Sequence, residues 1–510
     1  MVHTIKFYHR KKLNHRKNPN VLVFILPITL FFLLAIIYNL SGLLRGPVEW
    51  RWVYLPSKTY DRLWFPSIIF FLIISYIVIV FRNMRENLTR FSEIKVLTLL
   101  IILSFLFHLG IAHLQKTGGI LYLGVLVSDE GATSFHGLAA EYDDNIDYLL
   151  KNYEMLMPKF SLHGKTHPPG PILFFWSINS ALDKVPMVTD IFYNFLSMRY
   201  NFIKYYATKG QAVGCFIAAL LISLIGNITI IPLYYLVKKL FEFRVAFLSS
   251  IFYLCIPSAV LMNPFLDIIY PLISVSVVYF FILGISTNKY RYSFFGGIFF
   301  AFGIFLTFKL LPLLIMILII SILFMFRDRI DPGLENINKE GLKYIVNRSS
   351  IIKNLIIFCV SIVIPFLFLF ICYDLNILRV FLIALKLHSQ ITLIPRTYST
   401  WILFNLYDFF IFVGVPLFLI FFWQISKEIR KRNFSDFLTW SFLITLIIIN
   451  FSGFTLGEVS RLWLFLMPFA TIVPARGIIE SKENIKIKTI IILLLQALQI
   501  VVFKEFIRFP

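Results

Sequence analysis

Two groups of ionisable residues in an otherwise apolar chain have the makings of a reaction centre. Asp129 and Glu130 stand near one end of a long polar stretch, 114–171, whose other end reads His163-Gly164-Lys165-Thr166-His167-Pro168-Pro169-Gly170-Pro171. Asp267, Lys309, Arg396 and the pair Glu458 and Arg461 follow far along the chain. A carboxylate beside a hydroxyl can take its proton as the oxygen attacks. An arginine fork grips a phosphate through two charge-assisted hydrogen bonds, and a lysine adds a point charge. Combined, these groups suit displacement of a phosphate by a hydroxyl. A single base on the face opposite the leaving group makes that transfer inverting.

The elements that must position these residues are membrane spans. The chain has 510 residues, 59% of them hydrophobic, with 57 Phe, and its mean hydropathy is +0.81. Apolar runs of spanning length recur throughout. The net charge of +21 lies in short Lys/Arg clusters between those runs, where it meets lipid headgroups and fixes orientation, so nucleic-acid binding carries little weight. Cys215, Cys255, Cys359 and Cys372 all fall inside predicted spans as packing residues, away from any disulfide framework or zinc site.

Residues 1–20 are basic and without acid, which places the N-terminus in the cytoplasm. The first apolar run has no small-residue cleavage site and reads as an uncleaved span. Segment 21–93 holds two spans and 94–475 a catalytic transmembrane module with an outer loop over 114–210. Segment 476–510 supplies a basic inner loop and a last span. The expectation is an all-α polytopic bundle of about thirteen transmembrane helices. Within the loop, His136 to Met157 form interfacial helices and Ile172 to Leu182 a half-buried one. The apolar stretch Phe294 to Phe326 is too long for one helix and is read as two spans hinged near Lys309. Trp401 to Trp423 and Leu462 to Pro474 are each read as one span.

That alternation gathers Asp129, Glu130, His163, Lys165, His167, Asp267, Lys309, Arg396, Glu458 and Arg461 at one membrane face. Ionisable groups are costly near hydrocarbon, so a rim bearing both signs marks a site. Asp129 or Glu130 supplies the base; Arg461, Arg396, Lys309 and His167 hold the phosphate; Asp267, Glu458, Lys165 and His163 support them. Plainer roles stand beside these. Lys309 snorkels, Asp267 caps a helix, and Glu458 pairs with Arg461 one turn away. Mn²⁺ or Mg²⁺ on Asp129, Glu130 and Asp267 is compatible with the residue types, and no ligand spacing demands it.

With Asp129-Glu130 in the first large outer loop, His136-Gly137 and Tyr142 after it, His167-Pro168-Pro169, Asp267 and Glu458-Val-Ser-Arg461-Leu-Trp463, the sequence resembles the GT-C superfamily of membrane glycosyltransferases. Within it, the chain is similar to glycosyltransferase family 39, the polyprenyl-phosphate-mannose-dependent mannosyltransferases. The resemblance implies a lipid-linked sugar donor, a lipid, glycan or protein acceptor, chemistry on the extracytoplasmic face of a plasma membrane, and Asp129 as the catalytic base. The chain departs from the pattern in three respects: it reads His-Pro-Pro-Gly-Pro instead of His-Pro-Pro-Leu, two additional spans precede the motif-bearing loop, and no added soluble acceptor-recognition domain is expected. A transporter or flippase of a lipid-linked or anionic substrate, and an oligosaccharide polymerase or ligase, are the competing classes.

Overall fold

A computed structural model describes residues 22–83, 90–116, 118–129, 133–161, 163–326, 348–481 and 483–508. The basic segment 1–20 and Glu130 lie outside these residues. The protein is all-α apart from one two-stranded antiparallel ribbon, Val53–Tyr54 on Ile507–Arg508.

Seven helices are long and apolar enough to cross a membrane: Trp64–Arg82, Ser92–His113, Lys209–Leu240, Leu266–Thr287, Phe308–Met325, Arg348–Tyr373 and Ile485–Phe506. The pair Ile377–Leu393 and Tyr398–Val413, bent by 95°, makes an eighth if taken as one broken span. The protein is therefore an integral membrane protein. The remaining apolar helices, Leu22–Ile37, Tyr290–Leu306 and Phe437–Phe451 among them, fall short of that length.

The hinge at Lys309 is where the sequence places it. Tyr290–Leu306 ends at Thr307, whose hydroxyl accepts the Lys309 N–H at 3.3 Å, and Pro312–Met325 begins with proline. Elsewhere the helices break more often than expected. Trp401 to Trp423 is divided at Gly414, whose φ of 112° a side chain rarely adopts, into Tyr398–Val413 and Val415–Arg430. Leu462 to Pro474 is a succession of short turns buried in protein almost throughout, where irregular backbone finds internal partners. The segment after Tyr373 folds into an amphipathic helix, Ile377–His388. All four cysteines are free; Cys215 and Cys255 are buried, whereas Cys359 and Cys372 are exposed instead of packed.

Two polar networks tie the helices of the bundle together. Asn227 on the Lys209–Leu240 span approaches His108 Nδ1 at 3.4 Å, meets Ser104, and donates to the Ser223 carbonyl at 2.8 Å. Asn263 donates to Ser223 Oγ at 2.8 Å, which ties the turn before Asp267 to the same helix. A second network joins Arg476 to Asp436 and, at 2.9 Å, to Glu428, while Lys427 pairs with Glu480 at 3.0 Å. Buried arginines persist where several acids satisfy the fork, and this one locks Val415–Arg430, Phe437–Phe451 and Ile472–Glu480 together.

Candidate functional site

The backbone breaks deliver the charges. Asp267 sits in the turn Leu266–Ile268, Lys309 in the hinge, Arg396 between the helices that bend by 95°, and Glu458 and Arg461 in the turn after Phe437–Phe451. Lys309 Nζ lies 2.7 Å from Asp267 Oδ1, and Arg461 Nε lies 3.5 Å from Asp267 Oδ2. Glu458 takes Arg461 Nη2 at 3.3 Å on one oxygen and Arg396 Nη2 at 3.0 Å on the other. Five residues spread over some two hundred positions thus form one continuous ion network, with side-chain exposures between 8% and 28%.

The network holds three cations and two carboxylates, a net charge of +1. A half-buried surplus of positive charge draws an anion, because water screens it poorly there. Arg461 Nε, although close to Asp267, makes no hydrogen bond. Although burial acts to raise it, the Arg461 and Arg396 charges hold the Glu458 carboxyl below the usual carboxylate range.

Local backbone shapes this cradle. Glu458 adopts a left-handed φ of 55° directly after Gly457 at 98°. A Cβ on Gly457 would lie 2.7 Å from Arg396 Nη1 and 2.8 Å from the Trp401 ring, so glycine is what lets the guanidinium lie on the turn and bond the Leu456 carbonyl. The Arg396 guanidinium also lies 5.6 Å from both the Trp50 and Trp401 ring centres.

The loop motif reaches this cradle through its histidines. His167 is buried, its Nδ1 lies 3.0 Å from the His163 carbonyl, and its backbone carbonyl accepts the Tyr153 hydroxyl at 2.8 Å. Burial first, then the nearby Lys309 charge, pushes its imidazole well below the ordinary value. Burial, followed by the Arg461 and Lys309 charges, pushes His163 down to about 4. Both rings are therefore neutral near pH 7 and able to donate or accept a hydrogen bond. Gly170 explains the departure in the motif: a Cβ there would meet the Phe305 carbonyl oxygen at 2.1 Å. Without one, the helix Gly170–Asp183 docks on the end of Tyr290–Leu306, next to the Lys309 hinge.

Asp129 is the exposed C-terminal cap of the helix Tyr122–Ser128. Its carbonyl accepts the Thr133 N–H at 3.0 Å, and Phe135, just beyond, sets its ring edge-on to His167 at 5.1 Å. Through Phe135 the backbone around Asp129 thus abuts the histidine motif. Lys165 is half-exposed and forms no ion pair with the described residues. Among the described residues no three His, Cys, Asp or Glu side chains converge as a metal-ligand set, and Asp267 is engaged by two cations.

Three further polar residues border the site that hydropathy and motif spacing do not single out. Asp408 accepts the Ser460 N–H at 3.2 Å, Glu49 accepts the Thr397 N–H at 2.9 Å, and His388 Nε2 lies 3.1 Å from the Phe454 carbonyl. Asp408 is an acid inside an apolar run, which is the one signal the sequence carries for it.

Residues 209–332 match the family model for dolichyl-phosphate-mannose-protein mannosyltransferase. The match covers about a quarter of the chain and includes Asp267 and Lys309. It lies outside the loop that carries Asp129 and His167, so it supports the resemblance to these membrane mannosyltransferases independently of that motif. No curated protein matches the chain.

Proposed function

From a chain similar to a family of membrane mannosyltransferases, we propose an inverting glycosyltransferase that moves a monosaccharide from a polyprenyl-phosphate donor to an acceptor hydroxyl at the extracytoplasmic face. The observation that carries it is the half-buried network of net charge +1 built from Asp267, Lys309, Arg396, Glu458 and Arg461. It suits a lipid phosphate in charge and in donor type.

In this mechanism the acceptor oxygen attacks the anomeric carbon from the face opposite the phosphate, and Asp129 takes its proton. The bond from that carbon to the phosphate oxygen breaks, and its electron pair leaves on the phosphate. Arg461, Arg396 and Lys309 stabilise the charge that grows there, and neutral His167 and His163 offer hydrogen bonds beside it. Asp267 and Glu458 aim the cations without cancelling them. Glu130, next to the base, orients the acceptor. Residues 94–475 form the catalytic module, with the N-terminus cytoplasmic.

The test supplies purified protein with a radiolabelled polyprenyl-phosphate mannose and an acceptor extract. Wild type is expected to form an inverted glycoside, and Asp129→Asn to form none while inserting and folding normally. Near-normal turnover by that variant excludes Asp129 as base, and counter-transport without covalent product points to a transporter instead.

A further inference from the structure

The loop that follows the first helix, 38–63, touches both site arginines at one remove. Glu49 Oε2 accepts the Thr397 N–H at 2.9 Å and the Trp401 indole N–H at 3.0 Å. Thr397 follows Arg396 in the chain, and the Trp401 ring flanks the Arg396 guanidinium on one side while Trp50, next to Glu49, flanks it on another. Trp52 reaches deeper and donates its indole N–H to Asp408 Oδ1 at 3.5 Å. The other Asp408 oxygen accepts the N–H of Ser460, the residue before Arg461, at 3.2 Å.

The loop is in turn anchored elsewhere, which makes it a fixed support. Tyr407 donates to the Leu44 carbonyl at 3.0 Å, Arg45 to the Trp52 carbonyl at 2.6 Å, and the Thr59 N–H to Glu505 at 3.0 Å. The ribbon Val53–Tyr54 with Ile507–Arg508 closes it onto the last span.

We infer that Glu49 and Asp408 are positioning residues that hold Arg396 and Arg461, respectively, in the geometry needed to receive the departing phosphate. This rests on the glycosyltransfer reading above. It also gives the additional N-terminal helices a structural role, since their connecting loop braces a cradle whose own backbone is a string of short turns. Among the described residues, neither carboxylate bonds to Arg396 or Arg461 directly. Each fixes the backbone beside one, and Glu49 also fixes the ring against which Arg396 rests. Positioning of this kind matters because a group misplaced by about 1 Å forfeits up to about a hundredfold in rate.

Steady-state transfer is measured for Asp408→Asn, Glu49→Ala and Trp52→Phe, alone and combined with Arg461→Lys or Arg396→Lys. Asp408→Asn, which can keep only one of its two accepted hydrogen bonds, and Glu49→Ala, which loses both, are each expected to lower kcat about tenfold with a smaller change in donor KM, since charge on the phosphate grows only as the bond breaks. Asp408→Asn is expected to add no further loss on top of Arg461→Lys, nor Glu49→Ala on top of Arg396→Lys, because each carboxylate acts through its arginine. Losses that multiply, or kcat values unchanged from wild type, overturn the inference. Should Asp408→Asn fail to fold, Glu49→Ala, at an exposed position, and Trp52→Phe, which keeps an aromatic side chain and removes the indole N–H donor to Asp408, still decide it. If Asp129→Asn is inactive while these variants turn over normally, the brace alone falls; if Asp129→Asn stays active, the catalytic reading falls first.

Discussion

Replacing Asp267 by Asn keeps the side chain's size and removes one charge, so it asks what that charge does. The Asp267 side chain is 8% exposed and faces Lys309 at 2.7 Å and Arg461 at 3.5 Å. Removal takes the network from +1 to +2 and leaves two neighbouring cations without their shared counter-ion. Breaking a buried pair by deleting one partner costs about 3–5 kcal/mol, most of it the penalty of the charge left behind. Adding Lys309→Met returns the network to +1, since Arg396, Glu458 and Arg461 remain. The double variant is therefore expected to be less destabilised than the sum of the two single changes, with a coupling energy of about 1–3 kcal/mol. The assay is thermal unfolding of detergent-solubilised protein at one scan rate, which compares variants even where unfolding is irreversible. If Asp267→Asn melts with wild type, or if the two losses simply add, Asp267 is not the counter-ion that the geometry makes it, and the charge count behind the phosphate site is wrong.

Other perturbations probe the backbone and the histidines. Gly170→Ala sets a Cβ 2.1 Å from a main-chain oxygen that cannot swing aside; a loss of about 1–3 kcal/mol and a fall in transfer are expected, and wild-type behaviour in both assays refutes the docking argument. Gly457→Ala combines a φ of 98° with a clash on Arg396, which costs about 1–3 kcal/mol and is expected to raise donor KM; an unchanged KM separates Arg396 from donor binding. For His163, folding lowers the ordinary value of 6.5 to about 4, so between those pH values the unfolded chain binds the extra proton. Its contribution to stability is whole above pH 6.5 and is lost as pH falls towards 4. Wild type is expected to lose more thermal stability than His163→Gln between pH 7 and 4.5, and parallel curves contradict the assignment.

What the sequence reveals of this site follows from cost. A charge inside an apolar run is expensive enough to be conspicuous, so Lys309, Asp267 and the Glu458 and Arg461 pair can be picked out without any contact map. The hinge at Lys309 comes with them, because ~33 apolar residues exceed one span. The mutual arrangement is legible only as a shared face. That Asp267 serves two cations, and that Glu458 bridges two arginines instead of one, depends on turns whose geometry no periodicity encodes. The break at Gly414 rests on one glycine with positive φ in an apolar run, and the turn at Gly457 on three residues with positive φ, Gly453, Gly457 and Glu458.

Glu49 is hidden for a different reason, and Asp408, conspicuous as an acid inside an apolar run, is hidden only in its role. Glu49 lies in a short polar connection that reads as an ordinary loop, and its partners stand 348 and 352 residues away. Asp408 lies where hydropathy predicts a span, and its bond to Trp52 crosses 356 residues. Hydropathy reports how a residue meets its solvent, whereas these two are explained by what they hold. A cradle built from short turns has little rigidity of its own, because each turn closes few hydrogen bonds per residue fixed. Some other part of the chain must then supply the rigidity, and long-range polar contacts to the turn backbone beside each arginine are an economical way to do it. The residues that perform chemistry can thus be conspicuous in sequence, while those that keep them in place become visible only once the chain is folded.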